Sequence, residues 1–158
     1  MKTILDACCG SKMMWFDKNN PNVIFGDNRE ETIIRKDKSS KSGKRIIKIE
    51  PDTLLNFTNL PFKDNRFKLV IFDPPHLKSA GNKSWLAAKY GILTKNWQEE
   101  LKKGFSECFR VLEDKGILVF KWSELNIKLN EILKLTNIEP LIGHRSGRRT
   151  HWLVFMKV

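Results

Sequence analysis

The sequence predicts a single α/β domain built on a mainly parallel sheet flanked by helices. Three observations predict it. Short apolar runs of strand length alternate with amphipathic helical segments. The runs are close to continuously apolar, as in strands covered on both faces. The chain has 158 residues, the size of one domain, which buries roughly 70% of the surface its unfolded chain would expose. With no internal repeat and no second domain in view, residues 1–158 read as one unit.

Six runs read as strands: residues 3–8, 23–26, 46–49, 69–72, 116–122 and 152–158. The fourth is entirely apolar between Lys68 and Asp73, and the last is rich in β-branched and aromatic residues. Residues 96–112 predict a helix with Leu101, Phe105, Cys108, Phe109 and Leu112 on one face and Gly116 beyond its end. Ser123 is placed to cap a second helix, whose buried side is Leu125, Leu129, Ile132, Leu133 and Leu135, with Pro140 past its end. Residues 11–18 read as a short helix cut off before Pro21. Residues 29–45 break the pattern. They carry Arg29, Arg35, Lys36, Lys38, Lys41, Lys44 and Arg45 against Glu30, Glu31 and Asp37, and their middle has no periodicity. This is either a mobile basic loop or hairpin tip between strands two and three, or a solvated excursion.

Composition narrows the partners. Twenty-nine Lys and Arg against 18 Asp and Glu give a net charge of +11, which favours a polyanion such as DNA or RNA. No apolar run approaches the roughly 20 residues that span a bilayer, so no membrane partner is expected. Asp6 interrupts any signal-peptide core, and three cysteines, two of them adjacent, make a poor disulfide framework. Both fit a cytoplasmic protein. Cys8 and Cys9 are too close for a zinc pair, and His76, His144 and His151 lack a helical pair spacing, so no metal site is expected.

In an open parallel sheet, ligands bind beyond the carboxyl ends of the strands, near the point where strand order reverses. The first run ends at Cys8-Cys9-Gly10-Ser11, where a glycine admits a ligand close to the backbone. A helix start after it would offer free N–H groups to a carboxylate. Asp27 closes the second run and can accept hydrogen bonds from ribose hydroxyls, or serve as a turn or cap residue. The fourth run is followed at once by Asp73-Pro74-Pro75-His76. Two prolines cannot extend a buried strand, so they make a stiff turn at the same edge of the sheet. Rigidity suits groups aimed at a reacting atom.

These stretches resemble class I S-adenosylmethionine-dependent methyltransferases. Residues 4–11 are similar to the family's first motif, residues 23–27 to its second, and residues 60–75 to the stretch leading through its fourth strand. The likeness covers nearly the whole chain and is closest to small stand-alone enzymes of phages and mobile elements, which implies a bacterial or phage-infected cell. It implies a Rossmann-like three-layer sandwich with a mainly parallel seven-stranded sheet, reduced in places, and an antiparallel last strand. It implies S-adenosyl-L-methionine as cofactor, held by Asp6, Cys8, Gly10 and Asp27. Asn56 stands where the family places an acid for the adenine amino group, with Asp52 its rival, and Phe57 lies against the adenine or in the core. Lys12 replaces the family's second glycine.

The tetrapeptide resembles the (Asp/Asn/Ser)-Pro-Pro-(aromatic) signature of amino-methyltransferases. By that resemblance Asp73 and the Pro74 carbonyl, on the Pro74-Pro75 turn, hold the acceptor amine. His76 stands where an aromatic residue stacks on a flat substrate, and imidazole can stack, donate or accept a proton. The implied reaction is N-methylation of an exocyclic amino group of a nucleic-acid base, adenine N6 in DNA first and an RNA adenine or guanine next. Protein glutamine or small-molecule N-methylation, and a non-catalytic nucleic-acid-binding module, are the alternatives. No cysteine follows a proline as a cytosine-C5 enzyme requires.

On the substrate side, the segment 143–151 joins an apolar run at 138–142 to the last strand. The family topology puts it at the catalytic edge, with Arg145, Arg148 and Arg149 free to grip phosphates, unless it is a plain basic turn. Residues 78–90 form a flap after the catalytic turn, with Lys78 at its start and Trp85 in its middle; Trp85 or Trp122 is a stacking platform or a core residue. A chain of this size leaves no room for a separate target-recognition domain. It is expected to read its target with loops, as a homodimer, on single strands, or through a recognition partner.

Overall fold

The structure is a computed structural model that describes residues 1–81 and 84–158. Residues 82 and 83, in the expected flap, lie outside the described residues. A seven-stranded sheet is formed by β1 (Ile4–Asp6), β2 (Val23–Asp27), β5 (Thr53–Leu54), β6 (Phe67–Phe72), β7 (Leu112–Ser123), β8 (Ile142–Ser146) and β9 (Thr150–Met156). Its order is β5-β2-β1-β6-β7-β9-β8. The strands from β5 to β7 are parallel, and β9 runs antiparallel to both β7 and β8. Strand order reverses between β1 and β6, so the crevice for a ligand opens there, beyond Asp6 and Phe72.

The fully apolar run at 69–72 becomes the central β6, flanked by β1 and β7. Helix α2 (Trp97–Val111) buries Leu101, Phe105, Cys108 and Phe109 as its periodicity predicts. Phe105 meets Phe72, Phe120 and Phe155 with ring centroids 4.9–6.1 Å apart, and this aromatic cluster joins α2 to β6, β7 and β9. On the other face of β1 and β2, Ile4, Val23 and Phe25 pack against Cys9 and Trp15. Among the described residues no helix is long and apolar enough to cross a membrane.

Four elements differ from expectation. Residues 11–18 form turns and no helix: Gly10 and Lys12 take positive φ, and the Trp15 indole is pulled inward to Asp6 and Phe25. The run at 46–49 is not the sheet's third parallel strand. It belongs to β4 (Lys44–Ile49), which pairs only with β3 (Glu31–Lys36) in an antiparallel hairpin, and β5 takes the sheet position. The reason is its alternation, with Ile47 and Ile49 inward and Ile46 and Lys48 outward, the mark of a strand covered on one face. The helix at 123–135 shrinks to α3 (Leu129–Leu133). Ser123 is still in β7, opposite Thr150, and the Trp122 indole donates to the Ile127 carbonyl, which holds 124–127 as a turn. The segment 143–151, expected as a loop between the apolar run at 138–142 and the last strand, is mostly strand: β8 begins at Ile142, β9 at Thr150, and the turn is at 147–149.

Close approach of α2 to the sheet depends on Gly104. A Cβ there would lie 2.6 Å from Phe72 Cζ and 2.7 Å from Phe57 Cδ2. Overpacking costs roughly 1–3 kcal/mol against about 1 kcal/mol gained in helix propensity. Gly104→Ala is therefore expected to lower unfolding free energy by about 1 kcal/mol in urea denaturation; a more stable variant would contradict this packing.

Candidate active site

Two buried carboxylates shape the turn after β1. Asp6 is fully buried; its Oδ1 accepts from the Cys8 amide at 3.2 Å and its Oδ2 from the Trp15 indole at 2.7 Å. Burial pushes its pKa up to about 7 in spite of both bonds. Asp27 Oδ2 accepts from the Gly10 amide at 2.8 Å, and Gly10 takes φ +51°. Lys12 adopts φ +56°, the backbone form that suits a glycine, at a cost on the order of 1 kcal/mol. Its ammonium lies over the Phe25 ring at 4.3 Å and reaches the Lys18 carbonyl, so it does not obstruct the turn.

A cavity of about 220 Å³ opens beside this turn. Cys8, Gly10 and Asp27 line it from one side, Leu55 and Phe57 from another, and Asp73 and Pro75 from the end of β6. Helix α1 (Trp85–Tyr90) closes it through Lys89 and Tyr90, followed by Gly91 and Ile92. Arg29 ties the two sides together. Its amide donates to Asp27 Oδ1 at 3.0 Å, and its guanidinium donates to the carbonyls of Ala88 and Lys89 at the end of α1. Burial pushes the Cys8 thiol well above its ordinary range, so it lines the cavity as a neutral group.

The Asp73 side chain carries a partner that sequence reasoning missed. Lys121 Nζ lies 3.0 Å from Asp73 Oδ2, both side chains are largely buried, and both line the cavity. Burial raises the Asp73 pKa and Lys121 opposes the rise. The signal was available: Lys121 is the single charge in the otherwise apolar run 117–122. Its ammonium also lies 5.5 Å from the Tyr90 and Trp152 ring centres.

Several expected site residues stand elsewhere. His76 is 7% exposed and does not line the cavity; its ring packs against Tyr90 at 5.1 Å and Trp122 at 6.3 Å. Burial and then the Lys121 charge push its pKa down to about 4, so it is neutral near pH 7. Tyr90 lines the cavity instead. Asp6 supports the turn without lining the cavity, and Pro74 is buried behind Pro75. Asn56 is exposed, and its Oδ1 is taken by the Thr58 amide and hydroxyl, while Asp52 is held by Lys2 and the Phe25 amide. Lys78 is exposed with its amide on Asn126, and Trp85 packs beneath the β3–β4 hairpin with Arg45 over its ring. Arg145, Arg148 and Arg149 are exposed around the β8–β9 turn. That turn lies at the catalytic edge, because Thr150 pairs with Ser123, but these arginines do not line the cavity.

No family model and no curated protein matches the chain. Solved structures do. A protein from Pyrococcus horikoshii OT3 has TM-score 0.61 at 14% identity, over 99% of this chain and 82% of that one. A SAM-dependent methyltransferase from Methanosarcina mazei has TM-score 0.59 at 12% identity, over 100% and 94%. A TehB-like SAM-dependent methyltransferase from Corynebacterium glutamicum has TM-score 0.56 at 16% identity, over 99% and 80%. The chain has the Rossmann-like fold of these S-adenosylmethionine-dependent methyltransferases.

Burial of His76 makes a pH prediction. Its folded pKa lies below the ordinary value of 6.5, so its contribution to stability is present above pH 6.5 and is lost as pH falls towards 4. Asp6 acts in the opposite sense, losing its contribution as pH rises through about 7. Comparing urea unfolding of the parent and His76→Phe isolates the first effect. The parent should lose stability relative to the variant between pH 7 and pH 4; a constant difference would place His76 in water.

Proposed function

We propose that the chain is an S-adenosylmethionine-dependent methyltransferase acting on an exocyclic amino nitrogen of a nucleic-acid base, with adenine N6 in DNA as the first acceptor. One observation carries the reading: the glycine turn with Asp27, and Asp73 and Pro75 of the turn after β6, line the same cavity at the switch point of the sheet. The residues present suit the cofactor. Asp27 is a buried carboxylate with lone pairs left for ribose hydroxyls, and Leu55 and Phe57 offer apolar walls to an adenine. Gly10 leaves its backbone open: a Cβ there would meet nothing closer than the Lys89 carbonyl at 3.7 Å. The enclosed volume of about 220 Å³ lies below the roughly 300–1,000 Å³ of most small-molecule sites.

When bound, S-adenosylmethionine supplies a methyl group on a sulfonium. The chain's own residues then orient the acceptor. Asp73, paired with the Lys121 ammonium at 3.0 Å, takes a hydrogen bond from the amino N–H groups. That aims the nitrogen lone pair at the methyl. Tyr90 faces the flat ring. His76, neutral and buried, braces Tyr90 from behind and exchanges no proton. A small planar amine or a protein glutamine satisfies the same geometry; the net charge of +11 favours a nucleic acid.

Calorimetry and a methyl-transfer assay separate the two halves of the site. Asp27→Asn is expected to weaken S-adenosylmethionine by roughly 10-fold or more, the loss of a charge-assisted hydrogen bond. Asp73→Ala is expected to abolish transfer while changing cofactor affinity by no more than about 2-fold, since its contacts are with the acceptor. Loss of cofactor binding in Asp73→Ala, or unchanged binding in Asp27→Asn, would overturn this division of labour.

A further inference from the structure

The β3–β4 hairpin contributes no residue to the cavity. Residues 31–49 hold seven cationic side chains (Arg35, Lys36, Lys38, Lys41, Lys44, Arg45 and Lys48) against two acids, Glu31 and Asp37. Asp37 is already engaged by Arg45 and by Ser39, and Glu31 lies 3.8 Å from the Arg29 guanidinium. Arg35 stands directly opposite Arg45 and Lys36 directly opposite Lys44. Like charges facing each other across a ribbon destabilise it.

An isolated two-stranded hairpin is marginal in water. This one is supported from one side only. Ile47 and Ile49 are buried against Ala88 of α1, with Ile33 and Trp85 packed around them. The tip is a built turn: the Asp37 amide donates to the Gly43 carbonyl, and the Ser40 and Ser42 hydroxyls donate to the Lys44 carbonyl. Side chains alternate across a strand, so the opposite face carries Thr32, Ile34, Lys36, Lys44, Ile46 and Lys48, all exposed. Lys48 lies about 13 Å along the strand from Lys44. The hairpin begins two residues after Arg29, which lines the cavity, and α1 beneath it ends in the cavity wall.

We propose that this outer face is a phosphate-gripping β-ribbon that docks on nucleic acid, with Lys36, Lys44 and Lys48 on the backbone and Ile34 and Ile46 in contact with sugar or base edges. The inference rests on the nucleic-acid reading above and names the element that performs it. A two-stranded ribbon fits a duplex major groove about 12 Å wide. Its phosphates relieve the repulsion between facing lysines. Docking here also presses on the hairpin and α1 unit, whose end forms one wall of the site. Two exposed isoleucines are too few to anchor the face in a bilayer, which favours a nucleic acid over a lipid surface.

The test uses the full chain and a fluorescent duplex of about 20 base pairs, long enough to exceed a ribbon of six paired residues. Affinity is measured by anisotropy as salt is raised, for the parent, for Lys36→Gln/Lys44→Gln/Lys48→Gln, and for Arg145→Gln/Arg148→Gln/Arg149→Gln. Calorimetry with S-adenosylmethionine checks that each variant keeps its fold. The proposal expects the lysine variant to lose roughly 2–3 units of the log–log salt slope, about 0.9 per phosphate contact, with cofactor affinity unchanged. If the parent binds DNA and the lysine variant keeps its slope, the ribbon is overturned while the nucleic-acid reading stands. If the parent binds neither duplex nor single strands, both fall. Binding to phosphatidylserine vesicles that is lost with the lysines, with no effect on DNA, would make the face a membrane contact and overturn the proposal.

Discussion

The carboxylate of Asp27 joins three segments that are distant in the chain. One oxygen fixes the Gly10 amide and with it the turn after β1. The other fixes the Arg29 amide, and the Arg29 guanidinium reaches the last carbonyls of α1. The glycine turn, the start of the hairpin and the far wall of the cavity therefore share one anchor. Asp6 performs the matching task within the first segment, fastening Cys8 and Trp15 from beneath. Both acids are buried, and both are satisfied by donors from turns, with no helix start among them.

This arrangement explains how a short chain builds the site with few helices. A helix start after β1 would normally supply free N–H groups and cover that face of the sheet. Here the turn is held by two carboxylates, and the face is covered by the edge of the Trp15 ring against Phe25, with centroids 5.2 Å apart. After β2 the chain again forgoes a helix and inserts the basic hairpin, leaving β5 as a two-residue edge. At the other side of the crevice, the Asp73–Lys121 pair sets the charge at the β6 end of the cavity. Burial alone would favour the protonated acid; the lysine, 5.5 Å from the ring centres of Tyr90 and Trp152, opposes it. The same lysine helps keep His76 neutral.

Features written in local pattern were legible in the sequence. The apolar run of β6, the amphipathic face of α2, and the acids closing β2 and β6 all needed only spacing and residue type. What escaped was set by distant partners. The turn at 11–18 has helical composition, but Trp15 is committed to Asp6 nine residues back. The run at 46–49 shows strand character either way; only its pairing with β3 removes it from the main sheet. His76 matches the position of a stacking residue by motif, yet Tyr90 and Trp122 close over it. Asn56 matches a cofactor position by count, yet its own local turn with Thr58 occupies it. Lys121 was visible as a lone charge in an apolar strand, but its meaning depended on lying beside Asp73, 48 residues earlier.

We propose that the two turns at the switch point form one methyl-transfer site for a nucleic-acid base. The most direct measurement is to incubate the protein with methyl-labelled S-adenosylmethionine and separate DNA, RNA and protein pools, then to identify any modified nucleoside by mass spectrometry. Label is expected in DNA as N6-methyldeoxyadenosine, lost in Asp73→Ala. Label confined to protein or small amines, or no transfer from a cofactor that binds, would contradict it.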